Sequence, residues 1–207
     1  ESGLRGKLKH YKVSTFHKLC KDIWVHELGI PWSDPVDPKD WLGRARRDHP
    51  IIAELGVDYV AKEIEWRKNT GIRKKEEYLQ SVRRGRGRPL GSAQREAVWA
   101  VMAQYQHMLT ERKRFDWSDL PTKVWRAIDE RQLQPPLYDA VLVDEAQDMA
   151  PVWMWIVTHM VRPGGILFLA DDPTQSIYRY YSWREKGVAV QGRTRWLRVP
   201  YRNTREI

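Results

Sequence analysis

Asp139-Ala-Val-Leu-Val-Asp-Glu-Ala-Gln-Asp148 decides how the rest of the chain is read. Its apolar run, residues 140–143, ends abruptly in carboxylates. Such a run predicts a strand buried on both faces, the kind found inside parallel sheets. Asp144 and Glu145 then fall at the carboxyl end of that strand, where open α/β sheets place their ligands. An acidic pair at this position suits a hydrolytic site. Asp144 can hold Mg²⁺, usually through water, and Glu145 can accept a proton from an attacking water. Alone, the same residues also fit a strand followed by a solvated acidic turn.

The stretches downstream favour the first reading. Residues 151–161 form an apolar helical run carrying Trp153 and Trp155, Gly164-Gly165 ends it, and residues 166–170 form a second short apolar strand. Strand, helix and strand in this order predict a βαβ unit with parallel strands and a right-handed crossover. The second strand also ends in polar chemistry, Asp171-Asp-Pro-Thr-Gln-Ser-Ile-Tyr-Arg179. Asp144, Glu145, Asp148, Asp172 and Gln175 are thus expected on one sheet edge. That edge fits a metal-bound phosphate, with Gln175 orienting a water or sensing a phosphoryl oxygen. Residues 196–199 read as a further strand leading into Pro200-Tyr-Arg-Asn203. There Arg202 can reach a phosphate and Tyr201 can stack on a base.

Upstream, residues 9–14 read as a short strand. A helix follows, with Phe16, Leu19, Cys20, Ile23 and Trp24 on one face. Residues 31–38 form a proline-rich loop, and Asp37 is expected to cap a helix starting at Pro38. From Trp41 to Arg131 the pattern is helical and rich in charge. Ile52, Leu55, Tyr59 and Val60 share a face, Gly71 is a stop, and a second helix is expected over residues 74–82. Arg83-Arg-Gly-Arg-Gly-Arg-Pro-Leu-Gly91 reads as a flexible basic loop that touches phosphate or solvent. Its Arg86 and Arg88 are candidates for an A·T-rich minor groove. Ser92 is expected to cap the most regular helix, whose stripe of Val98, Val101, Met102, Tyr105, Met108 and Leu109 is core packing. Residues 115–120 are a break, with Ser118 or Asp119 capping a short helix to about Arg131. Residues 134–137, Gln-Pro-Pro-Leu, mark a boundary.

Bulk properties agree with a globular protein that meets a polyanion. The 207 residues include 42% hydrophobic side chains and 11 tryptophans, enough for a real core. A net charge of +9 favours nucleic acid as partner. Cys20 is the single cysteine, which excludes a disulfide framework and a cysteine-based metal site and fits a reducing, cytoplasmic setting. No apolar run approaches the roughly 20 residues that span a bilayer, so no membrane partner is expected.

Four stretches together resemble the UvrD/Rep/PcrA class of superfamily-one DNA helicases, in that family's order. Val13-Ser-Thr-Phe-His-Lys-Leu-Cys20 resembles the DNA-contacting motif. Val143-Asp-Glu-Ala-Gln-Asp148 resembles the Walker B motif. Asp172-Pro-Thr-Gln-Ser-Ile-Tyr-Arg179 resembles the motif that couples ATP to DNA. Leu197-Arg-Val-Pro-Tyr-Arg-Asn203 resembles the motif that reads the base and γ-phosphate. The resemblance implies an α/β fold: part of a RecA-like parallel sheet of the P-loop NTPase type, with a mainly helical inserted accessory subdomain. Residues 1–21 and 137–207 would belong to the first motor domain (1A), and 22–136 to the accessory subdomain (1B).

The resemblance also implies roles. Asp144 would bind Mg²⁺, Glu145 would activate water, Gln175 would sense the γ-phosphate, Arg202 would neutralise its charge and Tyr201 would stack on adenine. Thr15, Phe16 and His17 would touch single-stranded DNA, and Tyr178, Tyr180 and Trp183 are the aromatic candidates for a base platform. ATP and Mg²⁺ would be the cofactors of the intact protein. Single-stranded and forked DNA would be its partners, in replication, repair or recombination, and the protein would be a monomer.

Two departures from the family pattern stand out. Asp171 replaces the usual glycine, and Tyr180-Tyr-Ser-Trp-Arg184 replaces the usual Trp-Arg-Gly. The family's phosphate loop, G-x-x-x-x-G-K-S/T, has no counterpart in these residues. The expectation is a helicase segment without ATP turnover of its own, missing the remainder of the helicase. A non-enzymatic DNA-binding module is the alternative, and a Mg²⁺ nuclease built on the acidic cluster a third.

Overall fold

A computed structural model describes residues 10–83, 86–172 and 181–195. The expected βαβ unit is present. Strand β1 (Tyr138–Val143) runs through helix α8 (Pro151–His159) to strand β2 (Val161–Leu169), and the two strands pair in parallel. Ala140, Val141, Leu142 and Val143 face Ile166, Leu167, Phe168 and Leu169 in register.

Two details differ from the sequence reading. Gly164 and Gly165 do not separate helix from strand but lie within β2, at a register shift between Tyr138 and Ala140. Gly164 takes φ +79°, and a β-carbon on Gly165 would meet the Asp139 carbonyl at 2.8 Å. Extra residues are thus absorbed where only glycine fits. Nor is β1 buried on both faces. Val141, Val143, Leu167 and Leu169 pack on Met149, Met154 and Val157, whereas Leu142, Ile166 and Phe168 are exposed. Among the described residues the covered face packs mainly on α8, with Phe16 of α1 at its margin. The architecture is therefore α/β with a two-stranded parallel sheet.

The amino-terminal helix forms as its spacing predicts. α1 (Phe16–Asp22) continues into a wider π turn (Ile23–Glu27), and Cys20, Ile23 and Trp24 are buried. The strand expected at 9–14 does not form over its described residues 10–14. No described strand lies beside it to accept its hydrogen bonds, and Val13 is exposed.

Helices α2 (Pro38–Ala45), α3 (Pro50–Leu55), α4 (Val57–Asn69), α5 (Lys75–Gln80) and α6 (Ser92–Glu111) share one core. Asp37 caps α2 as expected, its carboxylate accepting the Lys39 amide at 2.9 Å. Gly56, at φ +89°, divides α3 from α4. Ile52, Leu55 and Val60 are buried there as their spacing predicts. Ser92 is not a cap. It is the first residue of α6, and the Gln94 side chain accepts the Gly91 amide instead. The α6 stripe is buried except for Met108, which packs at its margin.

A second core joins α1, the π turn, α7 (Asp119–Asp129) and α8. Of the two expected caps of α7, Ser118 and Asp119, Ser118 stands at the N-cap position, but its side chain makes no capping bond. Asp116 accepts the amides of both at 2.9 Å. Among the described residues no helix is long and apolar enough to cross a membrane.

Candidate nucleotide and nucleic-acid site

The acidic edge begins where β1 ends. Asp144 and Glu145 are both exposed, and Glu145 adopts a left-handed backbone at φ +54°. For a residue other than glycine this costs about 1–3 kcal/mol and persists only where neighbours impose it. Here the Ala146 amide donates to the Ala170 carbonyl and the Ala170 amide to the Val143 carbonyl, both at 2.8 Å, so the two strand ends are stitched together. The Asp144 carboxylate also accepts the Glu145 amide at 3.1 Å.

Buried Gln147 spans the same gap. Its amide nitrogen donates to Glu145 Oε2 at 2.5 Å, and its amide oxygen accepts the Asp172 backbone N–H at 3.1 Å. Asp144, Glu145 and the Asp172 backbone therefore lie at one edge of the sheet. Asp148 is partly withdrawn, with Oδ1 buried and unpartnered among the described atoms. The donor set suits a hydrated Mg²⁺, which keeps several waters and takes one or two carboxylates together with phosphate oxygens. Among the described residues no group of three or more His, Cys, Asp or Glu side chains is placed to hold a metal ion.

Phe16 and His17, in the first turn of α1, pack against α8, the helix that leaves this edge. Thr15 caps α1, accepting the Lys18 amide at 3.3 Å. Phe16 stacks on Trp153 with ring centroids 5.0 Å apart, and His17 meets the same indole edge-on at 4.9 Å. Burial holds the His17 imidazole below its ordinary pKa, favouring the neutral ring. His17 also meets Trp117 edge-on at 5.8 Å, and Trp117 is 54% exposed. Trp32 lies 6.3 Å from Trp117 and carries the Lys21 ammonium 4.0 Å above its ring. Trp117 was invisible to pattern reading because residues 115–120 read only as a helix break. The available signal was the pair Asp116 and Asp119, whose spacing closes a turn on itself and turns the residue between them outward.

Trp183 is half-buried on the Met149–Met154–Val157 cluster, with the Lys186 ammonium 4.7 Å from its ring. Two described arginines of the basic loop, Arg83 and Arg86, are held inward. Arg83 binds Glu63 through Nε at 2.6 Å and Nη2 at 2.8 Å, and Arg86 binds it at 2.9 Å. The Tyr78 hydroxyl adds a bond at 3.0 Å. Glu63 is fully buried on α4, and the Arg86 side chain is only 6% exposed. Arg88 is half exposed, 3.6 Å from Glu54. Gln175, Tyr178, Tyr180, Tyr201 and Arg202 lie outside the described residues.

A parallel βαβ unit whose strand ends gather carboxylates, beside an aromatic surface in a strongly basic chain, defines an α/β protein suited to phosphate and nucleic-acid chemistry. The family model for the UvrD/REP helicase N-terminal domain matches residues 1–186, and the chain belongs to that family. It is also 25% identical over 185 residues to a Bacillus subtilis (strain 168) protein named "Putative ATP-dependent DNA helicase YjcD". That match covers 84% of this chain and 23% of the relative, so the chain spans about a quarter of the relative's length.

Proposed function

We propose that this chain is a segment of an ATP-dependent DNA helicase or translocase acting on single-stranded and forked DNA. The observation that carries the reading is the Gln147 bridge, which ties Glu145 to Asp172 across the two strand ends. In this reading Asp144 would hold Mg²⁺, and the ion would supply charge neutralisation for the phosphates of ATP. Glu145 accepts the proton of the attacking water. The Gln147 amide donates to Glu145 and so orients its carboxylate. Gln175, Tyr201 and Arg202 complete the nucleotide contacts.

Thr15, Phe16 and His17 form the single-stranded DNA surface, and Trp117 extends it as a base platform. Tyr178, Tyr180 and Trp183 are the further aromatic candidates. Of the described loop arginines, Arg88 is the one best placed for phosphate, whereas Arg86 acts through its hold on Glu63. Residues 1–21 and 137–207 serve as motor and 22–136 as accessory subdomain.

The test is DNA-stimulated ATP hydrolysis by the full-length protein that carries this segment, beside Glu145→Gln. General-base loss lowers kcat roughly 10²- to 10⁴-fold, with ATP binding retained. An unchanged rate in Glu145→Gln sinks the motor reading and leaves a DNA-binding module.

A further inference from the structure

The last turn of α4 ends in two buried residues, Lys68 and Asn69, 2% and 6% exposed. Successive residues on a helix point about 100° apart, so the two reach different neighbours. The Lys68 ammonium donates to Asp116 Oδ2 at 2.7 Å and lies 2.8 Å from Asp119 Oδ1. The other oxygen of each carboxylate serves the turn itself. Asp116 Oδ1 accepts the amides of Ser118 and Asp119, and Asp119 Oδ2 accepts the Asp116 amide at 3.1 Å. Trp117 stands within that turn. Asn69 Oδ1 accepts the Trp153 indole N–H at 3.1 Å, and Trp153 is the ring on which Phe16 and His17 rest. A buried ion triad is a poor source of stability compared with apolar packing, and its best-attested use is to impose one geometry.

We propose that Lys68 and Asn69 are positioning residues for single-stranded DNA. Lys68 holds the Asp116–Asp119 turn that presents Trp117, and Asn69 holds Trp153 against Phe16 and His17. The end of one helix thereby sets the spacing between the two halves of the aromatic surface. The proposal rests on the reading of that surface as a DNA contact.

The experiment measures binding of a fluorescein-labelled oligothymidylate of about 16 nucleotides to the 207-residue chain. Lys68→Met alone strands two buried carboxylates and can unfold the chain. The working variant is therefore K68M/D116N/D119N, which keeps the oxygen acceptors of the turn and removes its tie to α4. A thermal melt checks that it folds. The expected result is a roughly 3- to 10-fold loss of affinity, a part of the stacking contribution, that disappears when the same changes are made in a Trp117→Ala background. Asn69→Ala is expected to behave in the same way against His17→Ala. Equal losses in both backgrounds, or no loss, overturn the positioning role alone. Failure of the unaltered chain to bind, or full affinity in Trp117→Ala, overturns the DNA reading and the proposal with it.

Discussion

The Lys186 ammonium donates to the backbone carbonyl of Gln147 at 2.7 Å, from a side chain almost wholly buried. It also donates to the Ala146 carbonyl at 2.9 Å. Residues 181–187 are thereby anchored to the loop that carries Glu145. Burial pushes the Lys186 ammonium below its ordinary pKa, with Asp148 and Asp171 opposing that shift. Lys186→Met leaves the Gln147 carbonyl without this donor, at a cost of about 1–3 kcal/mol. The expected outcome is a lower Tm and faster amide exchange over residues 146–149. Unchanged exchange there would show that Lys186 is not the anchor.

Trp117→Ala tests the exposed indole beside His17. Stacking on one base contributes about 1–3 kcal/mol, so affinity for single-stranded DNA is expected to fall roughly 5- to 150-fold. Because the ring is half exposed, Tm should barely move. A drop in Tm with unchanged affinity would assign Trp117 to packing.

Glu63 links pH to the stability of the helical section. Burial by itself would raise its carboxyl. Hydrogen bonding from Arg83, the charges of Arg86 and Arg83, and the Tyr78 hydroxyl outweigh burial and hold it below its usual 4.5. A carboxyl depressed in the folded state contributes stability that is complete above its unfolded value and lost as pH falls through the folded one. Glu63→Gln is therefore expected to cost about 3–5 kcal/mol near neutral pH, since two arginines lose their buried partner. That deficit should shrink as pH drops below 4.5. Urea denaturation across the range checks this, and a pH-independent deficit would contradict it.

Gly165→Ala forces a β-carbon to within 2.8 Å of the Asp139 carbonyl and 2.9 Å of the Val161 side chain. Overpacking of this kind costs about 1–3 kcal/mol. The register shift at the start of β2 is expected to loosen, read as lost amide protection at Tyr138 and Val161. Wild-type stability in this variant would mean that the strand can shift to make room.

Features governed by near neighbours in the chain were legible in advance. The 3.6-residue spacing from Phe16 to Trp24 predicted which side of α1 enters the core, and Asp37-Pro38 predicted a helix start with its cap. Capping was less certain where several acceptors compete. Ser118 stands at the N-cap of α7 as expected, but Asp116, two and three residues ahead of the amides it accepts, supplies the side-chain acceptor, its carboxylate held in place by Lys68.

Two apolar strands around a helix, each ending in acidic chemistry, were enough to predict the βαβ unit and the placing of Asp144, Glu145 and Asp172 at its strand ends, because crossover handedness leaves few alternatives. Tertiary structure alone decided which side of that sheet is covered, that Arg83 and Arg86 turn inward to Glu63, and that Lys68 reaches a turn 48 residues away. Charge runs and apolar runs look alike in a sequence whether they meet solvent or a partner. Only chain packing brings Glu63 to the arginines and Asp116 to Lys68, and the burial of those pairs determines which charges are spent on the fold and which stay at the surface.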